Sequence, residues 1–93
     1  MNAEVFDNVW DAISDEPEKA ENMRMRAALM RALRDRIQEQ GWTQSEAAGH
    51  LGVSQPRISD LIRGKISRFS LDGLVGLAAA AGLRISLSVD DAA

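Results

Sequence analysis

The stretch 43–64 is the feature that most constrains how this chain can fold. Its first four residues, TQSE, have the spacing of a capping box, which starts a helix by satisfying the first amides of its backbone. Gly52 suits the positive φ of a tight turn, and Ser54 can cap a second helix. Ala48 is small enough for the two helices to cross closely. The stretch therefore predicts two short helices joined by a glycine turn.

Two such helices form a helix-turn-helix motif, whose second helix enters the major groove of DNA by its N-terminal end. Gln55 and Arg57 are the main candidates for base contacts, since glutamine can bond bidentately to adenine and arginine to guanine. Gln44, Arg63 and Lys65 are better placed for phosphates, which set the register of the complex. The predicted DNA-binding residues are Thr43, Gln44, Ser54, Gln55, Pro56, Arg57, Ser59, Asp60, Arg63 and Lys65.

The motif resembles that of the phage-repressor (Cro-like, Xre) family. The leader FDNVWDAI, which begins at Phe6, and the run GKISRFSLDGLVGLAAAAGLRISLSV, which begins at Gly64, are similar to segments of small antitoxins from type II toxin–antitoxin modules. That resemblance implies a protein that represses its own operon and neutralises a basic ribonuclease toxin. The predicted toxin contacts are the apolar leader residues Phe6, Val9, Trp10 and Ile13, which share one face of a short helix.

Further helices are predicted on both sides of the motif. An apolar stripe with helical spacing predicts a long helix from about residue 17 to residue 40, ended by Gly41. A break at residues 14–17 separates this helix from the leader, because Pro17 suits a first helical turn. Ser70 is expected to cap another helix over residues 71–81. The stripe consists of Met23, Ala27, Met30, Leu33 and Ile37.

Residues 84–89 alternate polar and apolar side chains, which is the pattern of a β-strand. No other segment alternates in this way, and a lone strand leaves its backbone groups unpaired. Pairing with the same strand of a second molecule across a twofold axis is the economical solution. The predicted fold class is therefore all-α: a repressor-like helix-turn-helix domain of about five helices, with a C-terminal β-strand pairing across a dimer. The predicted dimer contacts are Leu71, Leu74, Ile85, Leu87 and Val89.

The chain divides into an acidic amphipathic N-terminal segment (1–16), a DNA-binding domain (17–83) and a dimerisation strand with its tail (84–93). The net charge of −3 is unevenly distributed. Residues 1–22 hold seven acids against one base, whereas residues 23–40 hold five arginines against two acids. The middle of the chain can therefore face phosphate despite the negative total. Most arginines of the long helix are nevertheless expected on a solvated face.

Several classes of function are not expected. The chain has no cysteine, and His50, its one histidine, has no evident second ligand, so neither metal nor cofactor is predicted. Paired carboxylates, a nucleophile relay and a phosphate loop are lacking, so neither catalysis nor a small-molecule substrate is predicted. The sequence lacks a secretory signal and an apolar run long enough to span a membrane, so the cytoplasm is the expected location.

Two alternatives stay open at this stage. The chain could be a stand-alone Xre-like regulator without a toxin, which a look at the neighbouring gene would test. It could also be a protein-interaction module that no longer binds DNA, which the acidic net charge favours slightly. The leader could pack on its own domain or on a basic partner, where its aromatic residues would supply contact energy.

Overall fold

The computed structural model describes the backbone of residues 3–91 and the side chains of residues 17–91. Within that range the regular structure is helical, which confirms the predicted all-α class. The elements are α1 (Ala3–Gln40), α2 (Gln44–Leu51), α3 (Gln55–Ile62), a 3₁₀ turn (Ile66–Arg68) and α4 (Leu71–Ala80). The described chain thus has four α-helices instead of about five.

The count differs because α1 runs through Pro17, so the predicted break at residues 14–17 is wrong. Proline fixes φ near −65°, which an α-helix also uses, and removes one amide donor. In a helix of 38 residues, the hydrogen bonds on either side of that one missing bond continue the helix. The side chains of the predicted toxin contacts Phe6, Val9, Trp10 and Ile13 lie outside the described residues.

The second half of α1 supplies the first wall of the core. Met30, Leu33 and Ile37 are buried, whereas Met23 is 46% exposed, so only the C-terminal part of the predicted stripe is core. Gly41 ends the helix at φ +68°. The amide of Trp42 then donates to the carbonyl of Ile37 at 3.2 Å, which completes the predicted left-handed cap.

The two helices of the central motif form as their local sequence predicts. The Thr43 hydroxyl accepts from the Glu46 amide at 3.1 Å, and the Glu46 carboxylate accepts from the Thr43 amide at 2.8 Å. Gly52 adopts φ +69° between α2 and α3, and Ser54 caps α3 by accepting from the Arg57 amide. The direction of α3 relative to α2 is therefore set by the caps and the glycine turn.

The core lies where all four helices meet. Its largest fully buried side chains are Phe69, Leu33, Ile58, Leu61 and Leu74. Arginines of α1 hold the connecting segments against this core. Arg26 donates to the carbonyls of Ile66 and Phe69 at 2.9 and 3.2 Å, and Arg36 donates to the carbonyl of Ala81 at 2.8 Å. The carbonyls of Phe69 and Ala81 directly follow helical elements and have no helical partner, whereas that of Ile66 also accepts from the Phe69 amide.

Residues 83–91 have no regular secondary structure in the single chain. Since a strand is defined by hydrogen bonds to a neighbouring strand, pairing of residues 84–89 across a dimer stays a prediction. Among the predicted dimer contacts, Leu74 is fully buried inside its own subunit and is not available to a partner. This part of the prediction is wrong because α4 turns Leu74 inward and leaves Val75 42% exposed.

Candidate nucleic-acid interface

The exposed end of α3 is the centre of the candidate interface. Ile58 and Leu61 are fully buried on one side of the helix. Gln55 and Pro56 at its N-terminal end are exposed, as is Arg63 immediately after its last turn. Within residues 17–91 the Gln55 side chain has no hydrogen-bond partner in the protein. Packing in the core therefore fixes which side of α3 faces outward, and the cap at Ser54 fixes where that side begins.

The N-terminal end of α2 forms a second part of the interface. Thr43 and Gln44 are exposed, but the Thr43 hydroxyl is engaged in the capping box. Hydrogen bonding from Thr43, chiefly from its backbone amide, holds the pKa of Glu46 below its usual value. Glu46 is therefore ionised at neutral pH. The first amides of α2 that the capping box leaves open are at Gln44 and Ser45, and they are positioned to bind an anion.

Arg57 is held by its own chain. Its guanidinium lies over the Phe69 ring, 4.2 Å from the ring centroid, and donates to the Arg68 carbonyl at 2.8 Å. A cation over an aromatic ring is attracted by the electron-rich face of that ring. These two contacts join the start of α3 to the segment that precedes α4. The side chain predicted to contact guanine is thus engaged inside the protein.

Asp60 is also engaged, at the outward end of α3. Its carboxylate lies 3.2 Å from the Arg68 guanidinium and 3.9 Å from the Lys65 amine. The Asp60 side chain is only 20% exposed, whereas that of Arg68 is 59% exposed. A contact from Asp60 to a base would therefore require its carboxylate to leave two cations. Ser59 is half-buried beside it.

Sequence reasoning missed Arg68 and Phe69, although both contribute to this surface. Phe69 is 2% exposed and forms the support beneath Arg57. It is the only phenylalanine, tryptophan or tyrosine after Trp42, which could have marked it as a core residue. Arg68 adds a cation that interacts with Asp60. The candidate interface carries a net charge of +2, from the four cations Arg57, Arg63, Lys65 and Arg68 against the two acids Glu46 and Asp60.

His50 stacks on Trp42, with ring centroids 4.1 Å apart and planes 14° from parallel. Residues 17–91 contain no group of three or more histidine or acidic side chains close enough to share a metal ion. Among the described helices, none is long and apolar enough to cross a membrane.

The chain is similar to known proteins both in sequence and in fold. Residues 12–90 match the profile of a family described as a helix-turn-helix domain. The fold is similar to a solved structure named as an XRE family transcriptional regulator, with a TM-score of 0.72 and 29% sequence identity. That alignment covers 78% of this chain and 82% of the other. No curated protein matches the sequence significantly.

Proposed function

The chain belongs to the helix-turn-helix domain family, and from that premise we propose that it is a transcriptional repressor that binds specific sequences of double-stranded DNA. One observation carries the proposal. The core and two caps hold α3 so that its N-terminal end, with Gln55 and Pro56, is exposed. An α-helix presented in this way fits the major groove, where each base pair displays a distinct pattern of donors and acceptors. Binding at a promoter would exclude the transcription machinery.

In the proposed complex, Gln55 is the principal base-contacting residue. It is exposed, and its amide can pair with the major-groove edge of adenine. Pro56 offers apolar contact to a thymine methyl group. Arg57 would first have to leave the Phe69 ring and the Arg68 carbonyl. We therefore assign Arg57 the role of holding α3 in place. Base contact is the alternative, and binding to a panel of single-base operator variants distinguishes the two roles.

Phosphate contacts complete the proposed interface. The open amides at the start of α2 and the Gln44 side chain are suited to one backbone strand. Arg63 and Lys65 follow the last turn of α3 and supply positive charge at its other end. Such contacts set the register of the helix in the groove and give the binding its salt dependence.

We propose that a second copy of the chain covers the apolar residues of the C-terminal segment. Ile85, Leu87 and Val89 are 47%, 76% and 84% exposed at alternate positions. With the half-buried Leu71 and the exposed Val75 of α4, they line a groove of about 740 Å³ against α1. Apolar surface of this kind commonly marks an interface. A twofold pair would place two α3 helices about 34–36 Å apart, which matches half-sites one helical turn apart on a palindrome.

The dimer is tested by measuring molar mass in solution. Leu87→Asp with Val89→Asp should yield a monomer with unchanged helicity, because charges cannot be buried unpaired in the shared surface. Arg84→Asp, at the other side of the alternation and outside the groove, changes the net charge by the same amount; it is the control and should remain dimeric. A wild-type chain that is monomeric at all accessible concentrations would end this part of the proposal.

The antitoxin role is the finer part of the proposal. It is supported by the sequence resemblance and by the acidic leader, which contains five acids and no base within residues 1–16. A basic partner would be attracted to that charge, with Phe6 and Trp10 as apolar contacts. Deletion of residues 1–16 should abolish co-purification with the product of a neighbouring toxin-like gene while leaving DNA binding intact. Undiminished co-purification would remove the assignment.

The DNA-binding proposal is tested by a mobility shift with the DNA upstream of the gene. Gln55→Ala should weaken binding to the operator by about 1–3 kcal/mol and relax the preference at one base pair. Gln38→Ala, which alters an exposed glutamine of α1, is the matched control and should bind as the wild type does. Absence of any shift with the wild-type protein would favour a protein-interaction module instead.

A further inference from the structure

A small cleft lies between α1 and the turn that follows α3. Its volume is about 210 Å³, and its walls include Arg31 and Arg34 of α1 together with Gly64. The two arginines are three residues apart on one helix, a spacing that places them side by side on the same face. The Arg34 guanidinium reaches within 3.8 Å of the position that a Cβ of Gly64 would take.

The two arginines differ from the other arginines of α1. Arg24 is paired with Glu21 at 2.7 Å, and Arg26 and Arg36 donate to backbone carbonyls. Arg31 and Arg34 are exposed, and within residues 17–91 neither has a hydrogen-bond or carboxylate partner. Two guanidinium groups on one cleft therefore retain their donors for an external anion.

The remaining walls of the cleft do not neutralise these charges. Ala27, Met30 and Ile66 are apolar. The backbone amides of the turn are already bonded. The Gly64 amide donates to the backbone carbonyl of Leu61 at 3.1 Å, and the Lys65 amide donates to the backbone carbonyl of Asp60 at 3.0 Å. Asp35 is the nearest acid in the sequence but does not line the cleft. Recognition of an anion there would depend on the two guanidinium groups.

The cleft lies at the end of α3 from which the DNA backbone would be reached. An eight-residue helix is about 12 Å long, close to the width of the major groove. If the N-terminal end of α3 contacts bases, its C-terminal end lies near the edge of the groove, where the phosphates are. Gly64 is in the turn at that end, between Arg63 and Lys65.

We propose that Arg31 and Arg34 bind phosphates of the DNA backbone next to the bases contacted by α3. This inference rests on the proposed DNA-binding function and extends it to a site on α1. The paired guanidinium groups present parallel donors that match phosphate oxygens. The site contributes affinity for any sequence and does not discriminate between bases.

The test is the salt dependence of binding by the full-length protein to its upstream DNA. The double variant Arg31→Gln with Arg34→Gln should lower the magnitude of the slope of log K against log salt by about two. Each phosphate contact releases about one counterion from the DNA, and the variant lacks two such contacts. Relative affinities among operator variants should be unchanged. Arg31→Lys with Arg34→Lys preserves both charges and should preserve the slope.

Lys19→Gln with Arg84→Gln is the matched control, since it removes two exposed charges outside the cleft and outside the groove assigned to the second subunit. Its slope should equal that of the wild type. A wild-type slope in the Arg31→Gln, Arg34→Gln variant would overturn the inference while leaving the proposed function intact. A wild-type protein that does not bind DNA would overturn both. Thermal unfolding at the wild-type temperature excludes misfolding as the cause of a lowered slope.

Discussion

The arginines of this chain form two groups: inward arginines, whose guanidinium groups bond to the protein's own carbonyls, and outward arginines, whose guanidinium groups are exposed. Arg26, Arg36 and Arg57 donate to main-chain carbonyls and hold connecting segments in place. Arg31 and Arg34 are exposed, without partners in the described part of the chain. A count of basic residues therefore overstates the positive charge that is available to DNA. What matters is how many guanidinium groups the fold leaves without a carbonyl or a carboxylate.

The largest effect is expected for Arg26→Met, which keeps the volume of the side chain but removes its donors. Loss of charged hydrogen bonds to two carbonyls should lower the free energy of unfolding by about 2 kcal/mol. Urea denaturation measures this change. Arg31→Met should change stability by less than about 0.5 kcal/mol. Equal losses in the two variants would break the distinction between inward and outward arginines.

Arg57→Ala comes next. Loss of the contact with Phe69 and of the bond to Arg68 should cost about 1–2 kcal/mol of stability. If Arg57 only holds α3, its loss weakens binding equally across a panel of single-base operator variants. If the residue contacts guanine, the loss is concentrated at one base pair, and Arg57 moves to the outward class. Gln55→Ala, measured on the same panel, shows the profile expected of a base contact.

Asp60→Asn should have a smaller effect. Arg68 and Lys65 are partly exposed but are both paired with the Asp60 carboxylate, so they belong to neither group of cations. Without that carboxylate both cations become available to phosphate, and affinity for non-specific DNA should rise by about 0.5 kcal/mol, the size of an exposed ion pair. Fluorescence anisotropy with a random-sequence duplex measures it. Unchanged or weaker binding would show that Asp60 does not limit these cations.

The smallest effect is expected at the Arg24–Glu21 pair. Hydrogen bonding and charge attraction from Arg24 hold the pKa of Glu21 below its usual value. Any stability this pair adds is therefore present above the unfolded pKa of Glu21 and is lost as the pH falls through its folded pKa. In Arg24→Gln, NMR titration should show the pKa of Glu21 returning upward with almost no change in stability. An unshifted pKa would mean that the pair is not formed in solution.

Local sequence predicted the start and the end of most elements. The pattern TQSE before α2, Ser54 before α3 and Ser70 before α4 all cap helices as expected. Gly41 and Gly52 adopt the positive φ that their positions required. Such signals are reliable because the interactions involved lie within a few residues of each other in the chain. The Xre-like resemblance carried by the same motif is confirmed by the helix-turn-helix family match together with the similar XRE family structure.

Contacts between distant segments could not be predicted in the same way. Nothing near Arg57 in the sequence indicates that Phe69, twelve residues later, lies beneath it. Whether Leu74 or its neighbour Val75 faces the core depends on how α4 packs on α1. Both residues are apolar, so the helical pattern of apolar positions does not distinguish them. Pro17 gave a strong local signal for a break, but its backbone φ is compatible with an uninterrupted helix.

The position of Phe69 has a consequence for the whole molecule. Its ring supports Arg57 on the helix assigned to DNA, and its backbone directly precedes Ser70, the cap of α4. Since α4 also lines the groove assigned to the second subunit, Phe69 contacts one proposed binding surface through its ring and adjoins the helix of the other through its backbone. A displacement of α4 that accompanied subunit association would be transmitted to the helix assigned to DNA. By thermodynamic linkage, any gain in operator affinity upon association must be matched by an equal gain in association upon operator binding.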